Sequence, residues 1–193
     1  ELQSAGWSDR DGDGLVESDE GDPFPVTSLL YTTNTPRFKR MAIALREQWE
    51  SALGVRIELV GKESKFYRND LREGDFMIAR GTWYGDFGDP TTFLDLCRTE
   101  DGNNTRKFSD PGIDADLDAA SMERNPARRM ELLEDIERRL FNEHLPMIPI
   151  CQVVDVHMYD PDRISGLSDH PRQVQRLWRI VVDEASEAGP PDP

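Results

Sequence analysis

Residues 26–60 read VTSLLYTTNTPRFKRMAIALREQWESALGVRIELV, and this stretch decides the fold. Its opening, residues 26–33, is rich in β-branched and aromatic residues and predicts a strand. Thr35-Pro36 then supplies an N-cap residue followed by proline at the first helical position, where its missing N–H is harmless. Phe38, Met41, Ala42, Leu45, Trp49, Ala52 and Leu53 fall on one stripe at helical spacing, and Gly54 ends it. Residues 55–60, VRIELV, alternate apolar and polar like a half-buried strand. Strand, helix, strand in that order predicts a βαβ unit with parallel pairing, since parallel neighbours need a long crossover.

Downstream, a short helix is expected over residues 64–72, closed by Gly74. A third strand at residues 75–80, DFMIAR, opens into GTWYGDFGDP at residues 81–90. A short helix at 91–97 follows. Asp110-Pro111 starts another through Leu117 and Met122. Asn125-Pro126 starts a third, whose apolar face is Met130, Leu133, Ile136, Leu140 and Phe141. Residues 146–159, PMIPICQVVDVHMY, predict one or two strands, and residues 177–182 a last one. The economical class is α/β with a mixed sheet. The expected division is an acidic lead-in at 1–25, a folded body at 26–182 and a disordered acidic tail at 183–193.

The 193 residues carry a net charge of -15, unevenly placed. Residues 1–25 hold eight acids against Arg10 alone, and residues 183–193 hold four acids and no base. The body between them is nearly balanced. This argues against a nucleic-acid surface, which runs on Lys and Arg neutralising phosphates. No stretch approaches the roughly 18–20 apolar residues of a membrane span. The opening ELQSAGW is neither a signal peptide nor an initiator Met, so the chain is expected to begin within a longer protein or after processing. Cys97 and Cys151 lie far apart, and the reading leans toward unpaired thiols. Three histidines, His144, His157 and His170, show no zinc spacing, and no GxSxG, P-loop or GxGxxG occurs.

Two turns hold the candidate chemistry. Asp9, Asp11 and Asp13 stand at positions 1, 3 and 5 of an EF-hand register, with Gly14 at 6, Leu15 at 7, Glu17 at 9 and Glu20 at 12. A calcium ion needs several such oxygens, and glycine at the sixth position permits the sharp turn. Gly21-Asp22-Pro23 forbids an exiting helix, so the alternative is an Asp/Gly-rich surface turn without an ion. The second turn, residues 81–90, follows a strand, where open α/β sheets place ligand crevices. Asp86 can accept from a cationic amine, and Arg80 can pair with a carboxylate. The bland alternative is a core Trp83 with Asp89-Pro90 as a helix start.

A series of segments carries a family resemblance: AGW and DRDGDG, then PRFKRMAIALREQWESALGVRIELV, GDFMIARGTWYGDFGDP, and LPMIPI with CQVV. Together they resemble the family 5 extracellular solute-binding proteins, the peptide- and nickel-binding components of ABC importers. The match runs from about Ala5 to about Val182. The resemblance implies one lobe, the C-terminal one, of a two-lobe type II periplasmic-binding-protein-like fold. It implies non-catalytic capture of short peptides or similar amine-bearing solutes, in the periplasm or outside the cell, with membrane attachment through a segment absent from this chain. Implied partners are the N-terminal lobe of the same protein and an ABC permease, with no nucleic acid. By this resemblance Asp86 holds the ligand's α-amino group, Trp83 lines the cleft, and Arg80 contributes to carboxylate recognition; Tyr84, the second aromatic of the turn, is a further ligand-binding candidate read from the residues. No cofactor is required; calcium stays an open expectation, because members often carry a DxDGDG turn with no metal. The tyrosine-rich strand typical of the family is here Cys151-Gln152-Val153-Val154, a departure. Two other classes stand beside this reading: a calcium-stabilised interaction module, and a hydrolase using Asp86 and Asp89.

Overall fold

Leu29, Leu30, Tyr31 and Thr32 are buried in succession, so strand β1 (Thr27–Thr32) is covered on both faces. That is the signature of a parallel strand, whose crossovers lay helices on the sheet. In the computed structural model, which describes residues 2–154, 156–169 and 174–183, β1 is followed by helix α1 (Pro36–Leu53) and strand β2 (Ile57–Lys62). Strand β2 pairs in parallel with β1 from Thr27↔Ile57 to Thr32↔Lys62. Helix α2 (Ser64–Glu73) and the two-residue strand β3 (Ile78–Ala79) complete a three-stranded sheet in the order β2-β1-β3. β3 also pairs in parallel, through Leu29↔Ile78 and Leu30↔Ala79. The expected βαβ unit is therefore present.

The chain divides into two compact units, Glu1–Trp83 with Thr99–Ser109, and Tyr84–Arg98 with Asp110–Pro193. The core of the first is Leu29, Tyr31, Ala42, Leu45, Val55 and Ile57, with Val16, Phe24, Phe38 and Trp49 packed around it. These are the stripe residues of α1 set against one face of β1. Gly54 closes α1 at φ 63, where a side chain is strained, and a Cβ there would stand 2.8 Å from the Gly14 carbonyl oxygen. Val16 N donates to Gly54 O at 2.9 Å, which seats the acidic loop on the helix end.

The second unit begins with the single turn α3 (Thr91–Leu94), running into a 3-10 turn at Asp95–Cys97. Helix α4 (Pro111–Met122) is capped by Asp110, whose Oδ1 accepts from Ile113 N at 2.9 Å. That bond holds the Asp110 carboxyl below the ordinary carboxylate range. Helix α5 (Pro126–Arg139) is capped by Asn125, which accepts from Ala127 N and Arg128 N. It continues into a π-turn at Leu140–His144. α4 and α5 pack together, burying Ile113, Leu117, Leu133, Ile136 and Leu140. Short strands β4 (Ile164–Ser165) and β5 (Val181–Val182) pair antiparallel. One parallel and one antiparallel sheet make the class mixed α/β.

Three expectations are corrected. No strand forms within residues 146–154 or 156–159; Ile148, Ile150, Val154, Val156 and Met158 are exposed instead. An extended apolar run does not make a strand unless an edge accepts its backbone, and Pro146 and Pro149 lack the N–H to donate. Of the strand expected at 177–182, Leu177–Arg179 coils into a 3-10 turn and only Val181–Val182 is paired. The strand expected at 75–80 shortens to β3. Cys97 is buried and Cys151 exposed, and neither forms a disulfide. Of the tail expected at 183–193 only Asp183 lies within the described residues, as does no part of residues 170–173, which include His170. Among the described residues no helix is long and apolar enough to cross a membrane.

Candidate functional site

Arg80 leaves the sheet immediately after β3, and four contacts hold it. Its N–H donates to Leu30 O at 2.8 Å, and its carbonyl accepts from the Tyr67 hydroxyl at 2.5 Å. Its guanidinium stacks on the Phe38 ring, 3.5 Å from the centroid, and bonds to Thr82 Oγ1. Stacking of this kind fixes a planar cation at low entropic cost. Burial of Tyr67 pushes its phenol above the usual range, so it remains a donor at neutral pH. Trp83 is half-buried, and its indole Nε1 is out of water with no acceptor among the described residues. A donor left in that state costs about 1–3 kcal/mol.

Tyr84 and Asp86 belong to the second unit, and both are exposed. The turn that carries them closes on α3: Asp86 N donates to Thr92 Oγ1 at 2.9 Å, and a Cβ on Gly85 would meet Thr92 Cγ2 at 3.2 Å. The Asp86 carboxylate itself makes no hydrogen bond or ion pair among the described residues. Asp89 is the opposite case. Its Oδ1 accepts from Thr91 N at 3.0 Å and Thr91 Oγ1 at 2.8 Å. Arg129 on α5 grips both oxygens, at 2.7 and 2.9 Å. The Arg129 guanidinium holds the Asp89 carboxyl far below the usual carboxylate range. Asp89 is thus a helix-start and tertiary anchor. A group held ionised by a bidentate arginine has no proton to give, so Asp89 is not available as a general acid.

The acidic loop is built from its own carboxylates. Asp9 accepts from Gly12 N at 2.7 Å and Gly14 N at 3.0 Å, Asp11 from Asp13 N, and Asp13 from Leu15 N at 2.8 Å. Glu17 accepts from Arg10 N, and Arg10 pairs with Asp19. One oxygen each from Asp9, Asp11 and Glu17 lie within 4.8 Å of one another. Asp13 and Glu20, positions 5 and 12 of the predicted register, are not in that group. No exiting helix follows; Glu17 bridges to Pro23 instead.

Two features escaped the sequence reading. Phe38 reads as a core position of α1, and nothing in the sequence pairs it with Arg80. Lys62 at the end of β2 meets the buried Asp70 of α2 at 2.5 Å, beside a cavity of about 420 Å3 lined by Leu30, Val60 and Met77 among others. The bond to Asp70 raises the Lys62 amine above its ordinary range.

Comparison with known proteins places these residues in context. The family described as bacterial extracellular solute-binding proteins, family 5 Middle, matches residues 1–105. The oligopeptide-binding protein OppA of Bacillus subtilis is 34% identical over 144 residues, 74% of this chain and 26% of that protein. The periplasmic murein peptide-binding protein MppA of Escherichia coli is 31% identical over 139 residues, 72% of this chain and 25% of that protein. Among solved structures, the unliganded open form of MppA superposes with a TM-score of 0.77 at 27% identity, over 94% of this chain and 32% of that one. The chain spans about a quarter of the length of the curated relatives it matches.

Proposed function

This chain belongs to the family 5 bacterial extracellular solute-binding proteins, and from that premise we propose that it is part of a two-lobe receptor, its C-terminal lobe. The receptor captures short peptides or similar amine-bearing solutes outside the cytoplasm, without catalysis, and delivers them to an ABC permease. The observation that carries this reading is the Asp86 carboxylate, exposed and without a partner on a turn whose backbone Thr92 holds closed. An ammonium group bound there gains a charged hydrogen bond of about 1.5–3 kcal/mol. Trp83 packs on the ligand, and its orphaned Nε1 donor favours a ligand acceptor. Tyr84 adds an exposed ring. Arg80, stacked on Phe38, meets a carboxylate. Capture proceeds by cleft closure, in which contacts with both lobes bias a hinge. The names of OppA and MppA support peptides as the solute class.

The test is calorimetry of short peptides on the full receptor. Asp86→Asn is expected to weaken binding about tenfold to a hundredfold, and capping the peptide's α-amine should erase the difference between wild type and variant. Equal affinities of both proteins for uncapped peptide would refute the assignment. A second, structural role is inferred for the loop at residues 9–20, supported by the convergence of Asp9, Asp11 and Glu17. Calcium held there would brace the seat on Gly54, with Asp13, Leu15 and Glu20 as the remaining ligands of the register.

A further inference from the structure

Helix α2 carries a cation cluster that peptide capture does not use. Lys65, Arg68 and Arg72 stand at i, i+3 and i+7, so one helical face presents all three. With Leu71 and Thr105 they line a cavity of about 570 Å3 within the first unit. Thr105 is brought there by a clamp: Lys107 Nζ donates to the Glu73 carbonyl oxygen at 2.7 Å, tying residues 99–109 to the end of α2.

The guanidinium groups are positioned but not satisfied. Arg68 Nε donates to Ser64 O and Arg72 Nε to Arg68 O, each at 3.3 Å. These bonds lay both side chains along the helix and leave their terminal nitrogens without partners among the described residues. Lys65 Nζ is likewise without one. Acids outnumber bases 38 to 23 in the chain, yet among the described residues no carboxylate is paired with these three cations. Arg10, Arg98, Arg129, Arg138 and Arg139 each hold a carboxylate. Like charges one turn apart repel, and an anion seated among them removes that cost.

We propose that this face of α2 binds a phosphate-bearing anion, with Arg68 and Arg72 on its oxygens and Lys65 and Thr105 completing the contact. A lone carboxylate carries one charge and two oxygens, which one arginine already saturates. A phosphoryl group carries close to two charges on three oxygens and matches two guanidinium forks, an ammonium and a hydroxyl. Leu71 and the aliphatic stems of the cations form an apolar floor beneath it. Soluble phosphate monoesters, pyrophosphate and the terminal phosphate of phosphatidic acid share this chemistry.

Two probes applied to the full chain distinguish the sources: inorganic pyrophosphate by calorimetry, and phosphatidylcholine vesicles with and without phosphatidic acid by co-sedimentation. At least one should bind, more weakly as salt rises. The double variant R68Q/R72Q should lose about tenfold or more with its melting temperature unchanged. The control K39Q/R40Q, which removes the same charge from exposed positions on α1, should stay within about twofold of wild type. Binding of pyrophosphate alone assigns a soluble ligand, and binding of anionic vesicles alone assigns a lipid headgroup. Failure of both probes, equal losses in the two double variants, or capture of a polyglutamate peptide where both phosphate probes fail would overturn the proposal.

Discussion

In the loop at residues 9–20 the carboxylates turn back on their own backbone, whereas in the turn at residues 84–92 they are spent at a distance or kept open. Asp9, Asp11 and Asp13 accept from N–H groups two to five residues away, building the loop they sit on. Asp89 instead holds Arg129, 40 residues away, and Asp86 holds nothing. Both turns are acidic and glycine-bearing, so composition does not separate them. What differs is where the partner comes from. A carboxylate satisfied by its neighbours shapes a loop, one satisfied by a remote helix anchors tertiary structure, and one left unsatisfied at the surface is available to a ligand.

The sharpest test of the contrast is Asp89→Ala, which removes a helix-start acceptor and a bidentate ion pair together. An expected loss of about 2 kcal/mol, moderated by partial exposure, should appear as a lower denaturant midpoint. The same residue sets a pH dependence. Its folded carboxyl is held below the unfolded value of 3.8, so its contribution is complete well above that pH and fades as pH falls below about 4. The stability gap between wild type and Asp89→Asn should therefore narrow on acidification; a constant gap between pH 6 and pH 3 would break the anchor reading. Gly54→Ala comes next, at about 1–2 kcal/mol, because φ is positive and the Cβ meets the Gly14 carbonyl. Hydrogen exchange should then rise across residues 9–20, and unchanged protection would mean the loop does not depend on that seat. Calcium is expected to add about 1 kcal/mol at millimolar concentration if its affinity is that of an extracellular module. Identical melting curves in calcium and chelator would leave the loop as a turn braced only by itself. Smallest of all is Asp86→Asn, expected to shift stability by less than about 0.5 kcal/mol, since no group in the fold leans on that carboxylate. A larger loss would move Asp86 from ligand anchor to structural residue.

Much of this was legible in the chain. The βαβ unit, the caps at Asp110 and Asn125 and the stop at Gly54 follow from local rules that the structure obeys. The resemblance that led to the family rests on the same segments. Within GTWYGDFGDP, Asp89-Pro90 stands at the start of α3, as the bland alternative expects. Not legible were Arg129 as the partner of Asp89, Phe38 as the platform for Arg80, and Asp70 as the partner of Lys62. Each joins positions whose sequence separation encodes no contact. The strands expected in residues 146–159 are absent from the described residues for a related reason: an apolar, β-branched run describes side chains, while a strand exists only where a second backbone receives it.

By itself, then, the amino-acid order determined the helices and their ends, the parallel β1–β2 pairing and the acid-rich turn geometry. Those depend on dihedral preferences, capping groups and a hydrophobic period that reach no further than a few residues or one crossover. Only the tertiary structure decided which aspartate is an anchor and which is free, which cations on α2 stand without carboxylates, and which apolar stretch remains unpaired. Those outcomes depend on what the rest of the chain brings within about 3 Å, the range over which a hydrogen bond forms.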